Sequence, residues 1–586
     1  MIQTITPSRV TRTLSGLVVV MLAACGGGDA PSQPTGFSAG WRYQGTPKPA
    51  TGLEGMVVTT DHLASDVGVD ILRAGGNAVD AAIAVQFALA VVNPEAGNIG
   101  GGGFMVVRMA DGSSAALDFR EKAPAAASRD MFLDEQGNLT NKSLVGHLAA
   151  GVPGSVAGMW AAHERFGSLP WSALVEPAVG LAAGFVVRPR FLGSLSPGMV
   201  RSLSAYAASA EQFLPNDGLP PSVGDTLRQL DLAATLSRIR DQGPAGFYRG
   251  ETADLIVAEM ARGEGIITHG DLESYEAAWR DPITFTYRGY TVLSMPPSSS
   301  GGATMAEIAN ILEQYDLAAL GWNSTETIHL YAEAWKRAYA DRNDYLADPD
   351  FVDMPLTRMT SKGYAVERAS TISLDAATPS AEVAPGMDAP VEEENTTHYS
   401  IVDKAGNAAA VTTTINSWYG SKVTVTGAGF VLNNEMDDFS AKPGTSNSYG
   451  LVQGENNAVG PGKRMLSAMA PTIVLGPDGD LKMVTGSPGG STIITTVFQT
   501  IANVLDFGMN VVDAVQAPRV HHQHLPDQIF YEPASLEPAT RFALEALGHT
   551  VVQRDDVSGD VQMILVVDGR LTGWSDPRRG GRAIGY

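Results

Sequence analysis

Glu392-Glu393-Glu394-Asn395-Thr396-Thr397-His398-Tyr399-Ser400-Ile401-Val402 carries the chain from an acidic segment directly into a β-strand. Upstream, residues 369–395 are rich in Ala, Pro, Asp and Glu. A segment of that composition cannot bury enough apolar surface to pack, so it is expected to be exposed or mobile. Downstream, Tyr399-Ser400-Ile401-Val402, the turn residues Asp403-Lys404-Ala405-Gly406 and the run 408–415 read as a β-hairpin. With the turn centred near Lys404-Ala405, Thr396 falls roughly opposite Thr413 and Thr414, because cross-strand partners sum to a constant. The two-residue period of a strand then sets Thr414 and Asn416 on one face. An acidic stretch that runs straight into a Thr at the mouth of a strand pair has the form of a processing site.

Towards the N-terminus, Val57-Val58-Thr59-Thr60 is strand-like, and 64–74 has a helical period that stops at the C-cap pair Gly75-Gly76. Residues 78–92 are apolar nearly all round and read as a buried helix ending at Asn93-Pro94. Met105-Val106-Val107-Arg108 and 290–293 read as strands, and 325–343 as a helix. The chain shows no internal repeat and no sustained heptads.

Composition narrows the function. The 586 residues include 40 Lys+Arg and 63 Asp+Glu, a formal net charge of −23. That length suits several structural units or one large α/β body, and 44% hydrophobic residues exclude general disorder. The acidic excess argues against nucleic acid as a partner, since affinity for phosphate backbones comes largely from Lys and Arg releasing counterions. One cysteine excludes an internal disulfide framework and any zinc site built of several thiolates.

That cysteine sits at a telling place. Arg9 and Arg12 precede the apolar run Leu17-Val18-Val19-Val20-Met21-Leu22-Ala23-Ala24, which stops at Cys25. The pattern is that of a secretory signal over 1–24, too short to span a bilayer, which needs about 20 apolar residues. Leu22-Ala23-Ala24-Cys25 also resembles a bacterial lipobox, in which Cys25 becomes the lipid-bearing N-terminus. Residues 25–50 read as a flexible tether, and the protein as exported and membrane-tethered.

Several motifs fail. Gly100-Gly101-Gly102-Gly103 lacks the Gly-Lys-Ser/Thr ending of a phosphate loop and follows a helix, so it reads as a close backbone approach. His521-His522-Gln523-His524 has no metal-ligand spacing and reads as loop or core. Ser298-Ser299-Ser300-Gly301-Gly302 does not fit the Gly-x-Ser-x-Gly elbow of a serine hydrolase.

Asn395-Thr396-Thr397-His398-Tyr399-Ser400, followed by Leu432-Asn433-Asn434-Glu435-Met436-Asp437-Asp438-Phe439 and Gly486-Ser487-Pro488-Gly489-Gly490-Ser491, resembles the γ-glutamyltranspeptidase (γ-glutamyltransferase, glutathione hydrolase) family. Asn98-Ile99-Gly100-Gly101-Gly102-Gly103-Phe104, Asp118-Phe119-Arg120-Glu121, Lys463-Arg464-Met465-Leu466-Ser467, Ala517-Pro518-Arg519 and Ser575-Asp576-Pro577-Arg578 extend the likeness to essentially the whole chain beyond residue 53. The resemblance implies an α+β fold, the four-layer αββα sandwich of N-terminal nucleophile hydrolases, made as one precursor that cuts itself between Asn395 and Thr396. The products would be a large subunit, 51–395, and a small catalytic subunit, 396–586, held together as a heterodimer.

Carried over by position, Thr396 is the implied nucleophile, with its own freed α-amine as base, and Thr414 steadies its hydroxyl. Gly489 and Gly490 present N–H groups to the oxyanion. Arg120 and Ser467 hold the donor's α-carboxylate; Asn416, Glu435 and Asp438 hold its α-ammonium; Tyr449 lies in the lid loop. Glutathione and related γ-glutamyl compounds are the implied donors, amino acids and peptides the acceptors, and no metal or organic cofactor is implied. The family's pair of consecutive serines is here Ser467-Ala468, which removes one hydroxyl. Relatives that act as cephalosporin or glutaryl acylases take substrates without an α-ammonium; retention of Glu435 and Asp438 argues against that specificity, because carboxylates facing no cation are costly to desolvate. A third reading, from another class, is an inactive tethered binding protein that keeps the fold.

Overall fold

The hairpin around Thr396 forms the middle of a seven-stranded antiparallel sheet. Its order is Arg582–Gly585, Met56–Thr59, Thr397–Val402, Ala408–Thr414, Gly102–Arg108, Ser114–Asp118, Ala278–Arg280. The computed structural model describes residues 37, 38, 40–384, 396–445, 451–554 and 559–586. Cys25, Asn395 and Tyr449, and with them the signal, the processing bond and the lid tip, lie outside the described residues.

A second seven-stranded sheet, ordered Ala50–Gly52, Arg570–Ser575, Gln562–Val567, Leu481–Thr485, Thr472–Leu475, Tyr290–Ser294, Ile283–Tyr287, faces the first. The two-residue period explains the stacking. Met56, Val58, Phe104, Val106, Ala408 and Ala410 of the first sheet share a core with Ile473, Val484 and Ile564, which the register sets on one face of the second. Their neighbours Val57, Met105, Val107, Ala409 and Val411 point the other way and pack with the helix Ala78–Val92. On the far side of the second sheet, helices Gly301–Leu312, Thr325–Tyr345 and Ile493–Leu505 contribute Met305, Trp335 and Val497 to the same core as the inner faces. The result is the expected four-layer αββα sandwich. A slip of one residue in the hairpin would exchange its two apolar faces and misplace Thr396 with them.

The helix Ala78–Val92 is buried at every position, as its continuous apolar sequence predicts. Its start is set by a capping box in which Asn77 accepts from the Val79 and Asp80 N–H groups and Asp80 accepts from the Asn77 N–H. Tyr399 Oη, donating to Ala82 O and Gln86 Oε1 at 3.1 Å each, ties the hairpin to this helix. The glycine run opens the strand Gly102–Arg108, where a Cβ on Gly101 would collide with the Thr414 carbonyl oxygen. Among the described residues no helix is long and apolar enough to cross a membrane.

Two composition-based expectations need correction. The tether expected over 25–50 is shorter than that. Trp41 is buried, its Nε1 donates to Gln516 O at 3.0 Å, and the Arg578 guanidinium carbon lies 5.3 Å from the centroid of its ring. Likewise, the segment expected to be exposed is mostly so over 370–384 but is anchored at two points. Ser380 and Val383 are buried, and Ser380 Oγ donates to His524 O at 2.6 Å. Average composition overlooks a single aromatic or hydroxyl group that finds a partner far away in sequence.

Candidate active site

Thr397 pairs with Thr413, so continuing the register by one residue sets Thr414 opposite Thr396. Both line one cavity of about 310 Å³. Arg120, Asn416, Glu435, Asp438, Ser467 and Gly490 line it too, together with Ala468, several apolar side chains and two polar residues not expected from the sequence, Arg342 and Ser491. Segments far apart in the chain thus converge on the end of the hairpin.

Asn416 has φ +70°, a left-handed conformation that Asn tolerates better than most residues. Its backbone N–H donates to Thr414 Oγ1 at 2.7 Å, and its Nδ2 donates to Asn434 O at 2.9 Å. His398, two residues beyond Thr396, is fully buried, with Nδ1 on Thr412 Oγ1 (2.9 Å) and Nε2 on Ser400 Oγ (3.1 Å). Burial pushes its pKa down to about 3, so the ring is neutral and both nitrogens are occupied. It is not placed to serve as a base for Thr396.

Opposite the strand, the segment Gly486-Ser487-Pro488-Gly489-Gly490 packs closely on His398: a Cβ on Gly486 would strike the imidazole ring. Gly489 and Gly490 both have positive φ, +136° and +46°, which only glycine adopts freely. Gly490 starts the 3-10 turn Gly490–Thr492, which continues as the helix Ile493–Leu505. Backbone N–H groups at such a start lack intrahelical partners and suit negative charge.

The charged wall is assembled differently from the expectation. Arg120, completely buried, bonds Glu435 through one terminal nitrogen and Asp438 through the other, while its Nε donates to Met465 O at 3.2 Å. Glu121 stands 3.8 Å from the same guanidinium. The groups expected to divide between the two charges of a zwitterion therefore hold one another. Burial alone would lower Arg120, but Glu435, Asp438 and Glu121 raise it above its ordinary value. Burial raises Asp438 to about 6 and Glu121 to about 8, and lifts Glu435 well above the usual range, against the pull of Arg120. Glu435 Oε2 has no hydrogen-bond partner among the described residues. The 3-10 turn Glu435–Asp438 is seated by Asn433, whose Oδ1 accepts from Glu435 N at 3.0 Å and whose Nδ2 reaches Gly100 O and Gly151 O.

Other residues of the sequence pattern lie outside the cavity and form buried ion pairs. Asp118 accepts from Arg280 Nε at 3.0 Å and stands 3.4 Å from Arg464 Nε; Arg519 pairs with Asp576 at 2.6 Å, and Arg578 with Glu532 at 2.7 Å. His521 and His522 are buried, as their loop-or-core reading requires. His329, Glu333 and His549 bring three potential metal-ligating atoms within 4.8 Å of one another. Glu333, however, is already bonded to Lys336 at 2.6 Å and Arg337 at 2.7 Å, and two cations on the carboxylate disfavour a third. This cluster is an ion-paired core.

The family profile described as Gamma-glutamyltranspeptidase matches residues 64–586. The chain belongs to the γ-glutamyltranspeptidase family. The Glutathione hydrolase proenzyme of Escherichia coli (strain K12) is 49% identical over 532 residues, covering 90% of this chain and 91% of that protein. The Acylase ACY 1 proenzyme of Pseudomonas sp. (strain V22) is 39% identical over 536 residues, 90% and 92% of the two chains. Among solved structures, a cephalosporin acylase from Bacillus halodurans has a TM-score of 0.82 at 28% identity, covering 94% of this chain and 98% of that one. The αββα sandwich of this γ-glutamyltranspeptidase is accordingly that of the N-terminal nucleophile hydrolases. Arg342 escaped sequence reading because in the charged stretch 341–344 it reads as one more surface charge, and Ser491 because its motif drew notice for the glycines.

Proposed function

We propose that this γ-glutamyltranspeptidase is a self-processing γ-glutamyltransferase and glutathione hydrolase, cut between Asn395 and Thr396 into a large and a small subunit that remain paired. The observation that carries the reading is the cavity itself, where Thr396 and Thr414, a positive-φ glycine, Ser467 and a mixed-charge wall meet. After cleavage the α-amine of Thr396, with an unperturbed pKa of about 7.7–8.0, accepts the hydroxyl proton near neutral pH. Thr396 Oγ then attacks the γ-carbonyl carbon, and the N–H groups of Gly489 and Gly490 receive the oxyanion, donors of a kind worth about 10²–10³ in rate. Collapse breaks the C–N bond, the leaving amine takes the proton from the α-ammonium of Thr396, and a γ-glutamyl ester remains. Water or an amine acceptor resolves the ester by the same proton path.

The donor's α-carboxylate is assigned to Arg120 and Ser467, and its α-ammonium to Asn416, Glu435 and Asp438. Because Arg120 already compensates both carboxylates, their desolvation alone no longer argues against an acylase. What favours the γ-glutamyl donor is the excess of buried carboxyl groups, Glu435 and Asp438 with Glu121 behind them, over the single Arg120 cation, which an ammonium would offset. The acylase reading is supported by the 39% identical acylase relative and ranks second. Hydrolysis of γ-glutamyl and glutaryl anilides, with and without an acceptor dipeptide, separates the two: preference for the glutaryl compound overturns the first reading.

Ala468 lines the cavity beside Ser467 and offers no donor. Ala468→Ser is expected to lower KM for a γ-glutamyl anilide about 5-fold, the effect of one typical hydrogen bond. An unchanged KM in steady-state kinetics would remove this position from carboxylate binding.

The N-terminal address extends the proposal: a signal over 1–24, export, and lipid attachment at Cys25. Cys25→Ser is expected to shift the protein from the membrane pellet to the soluble exported fraction on immunoblots of fractionated cells. Equal pelleting without the thiol refutes the lipid.

A further inference from the structure

The segment 416–422 leaves the end of the hairpin through four residues in the left-handed region: Asn416 (φ +70°), Tyr419 (+55°), Gly420 (+45°) and Lys422 (+69°). Residues other than Gly and Asn adopt it at a cost, so the turn needs support beyond its own backbone. Hydrogen bonds from Gly420 N to Ser417 O and from Lys422 N to Tyr419 O, 2.7 Å each, supply part of it. The rest comes from one side chain. The Lys422 ammonium donates to Ser417 Oγ (3.0 Å), Trp418 O (2.6 Å) and Gly420 O (2.6 Å), which uses all three of its protons. Lys422 is buried, and among the described residues no carboxylate pairs with it; burial draws its pKa down to about 7. A charge kept among neutral oxygens away from water is costly, and an apolar side chain would avoid that cost.

A short relay joins this brace to the cavity. Ser417 N and Ser417 Oγ both reach Asn434 Oδ1 at 3.0 Å, and Asn434 O accepts from Asn416 Nδ2 at 2.9 Å. Asn434 N donates to Ile415 O at 3.2 Å, and the 3-10 turn Glu435–Asp438 begins at the next residue. Asn416 and Glu435, both assigned to the donor's α-ammonium, thus hang on one asparagine that Lys422 reaches through Ser417. The remaining groups are held by other segments. Thr414 is paired with Gly102 in the sheet. Ser467 O accepts from Ser300 N at 2.8 Å, and Ser300 Oγ is held at 2.9 Å by Arg342 Nε of the helix Thr325–Tyr345.

We propose that Lys422 is a positioning residue of this enzyme: from outside the cavity, its ammonium braces the left-handed turn 416–422 and so sets the spacing of Asn416 and Glu435 that a primary ammonium on the donor requires. Lys422 lies beyond the residues assigned to the donor, and its role rests on the reading of the cavity as a γ-glutamyl site. Without the brace the turn relaxes and the two ammonium acceptors move apart, while the nucleophile and the oxyanion glycines keep their own supports.

Steady-state kinetics of the full-length, matured enzyme test it, with L-γ-glutamyl anilide as donor and L-glutamate and glutarate as competing inhibitors. Glutarate is glutamate without the ammonium. Lys422→Met, which keeps an apolar stem and loses the charge, is expected to raise KM for the anilide and Ki for glutamate about 10-fold, with kcat within about threefold and Ki for glutarate within about twofold of wild type. Equal weakening of glutamate and glutarate, or a fall in kcat beyond about threefold, assigns Lys422 to general support of the fold and overturns the proposal. An unchanged KM overturns it too. Maturation into two chains on an SDS gel controls for folding. If Lys422→Met does not mature, Ser417→Ala, which removes only the hydroxyl between Lys422 and Asn434, is read by the same comparison of glutamate with glutarate. A wild type that leaves γ-glutamyl anilide intact, or binds glutarate as tightly as glutamate, removes the parent reading. A wild type that cleaves the anilide and prefers glutamate, with that preference undiminished in the variant, removes only this one.

Discussion

Thr396→Ala is expected to leave the chain in one piece and to reduce γ-glutamyl anilide hydrolysis by at least about 10⁴-fold, since removal of a nucleophile disables the whole catalytic unit. The reason lies at the end of the hairpin. Within a continuous chain the Thr396 hydroxyl has no free amine beside it, and His398 is neutral with both ring nitrogens taken by Thr412 and Ser400. On the proposed scheme, cleavage supplies the missing base by making Thr396 a chain end. Thr396→Ser keeps hydroxyl and amine and should still mature, more slowly or not, into two chains with Ser at the new N-terminus. Gel electrophoresis, N-terminal sequencing and the anilide assay check the pair together. An unprocessed Thr396→Ala chain that turns over γ-glutamyl donors at near wild-type rate would falsify the scheme. Thr396 O accepts from Arg579 at 3.3 Å, so the backbone at this position is held in the uncut chain as well.

Arg120→Gln is the second large effect. It strips a buried cation from Glu435 and Asp438, and breaking a buried ionic network by removing one partner costs about 3–5 kcal/mol. The loss should depend on pH with a definite sign. An acid whose folded pKa lies above its unfolded value releases its proton on unfolding, so it weakens the fold once pH exceeds the unfolded pKa; below about 4 it is protonated in both states and costs nothing. Asp438 at about 6 and Glu121 at about 8 are already raised, by burial first, and loss of Arg120 raises them further. The stability gap between Arg120→Gln and wild type should therefore open as pH rises through about 6 toward 8 and above, and stay at its smaller acid value below about 6. Thermal unfolding across that range measures it. A gap that is flat, or that widens in acid, would show that the guanidinium does not compensate these carboxylates.

Much of the fold was legible because it is local. The hairpin register depends on a period of two and a turn position, and it comes out with Thr397 opposite Thr413. The helix Ala78–Val92 follows from its apolar run and an Asn cap. The residues drawn together in the cavity were legible only through family resemblance, since Arg120 or Asp438 alone reads as a surface charge. Position in a motif did not reveal which residues face the cavity: Arg120 does, whereas Arg464, Arg519 and Arg578 of equally marked segments pair with Asp118, Asp576 and Glu532 elsewhere. Composition failed at Trp41 and Ser380, where one side chain finds a distant partner inside an otherwise polar segment.

By itself, then, the amino-acid order determined the hairpin over 399–415, the buried helix over 78–92 and the chemistry available to Thr396, while the two-sheet sandwich was implied by the family resemblance. The first three follow from near-neighbour periodicity and from the residue types themselves. Only the tertiary structure decided that Arg120 embraces Glu435 and Asp438 and that Arg342 lines the same cavity. Electrostatic partnership depends on distance and burial in space, and the helix Thr325–Tyr345 meets Ser467 only once the layers have closed.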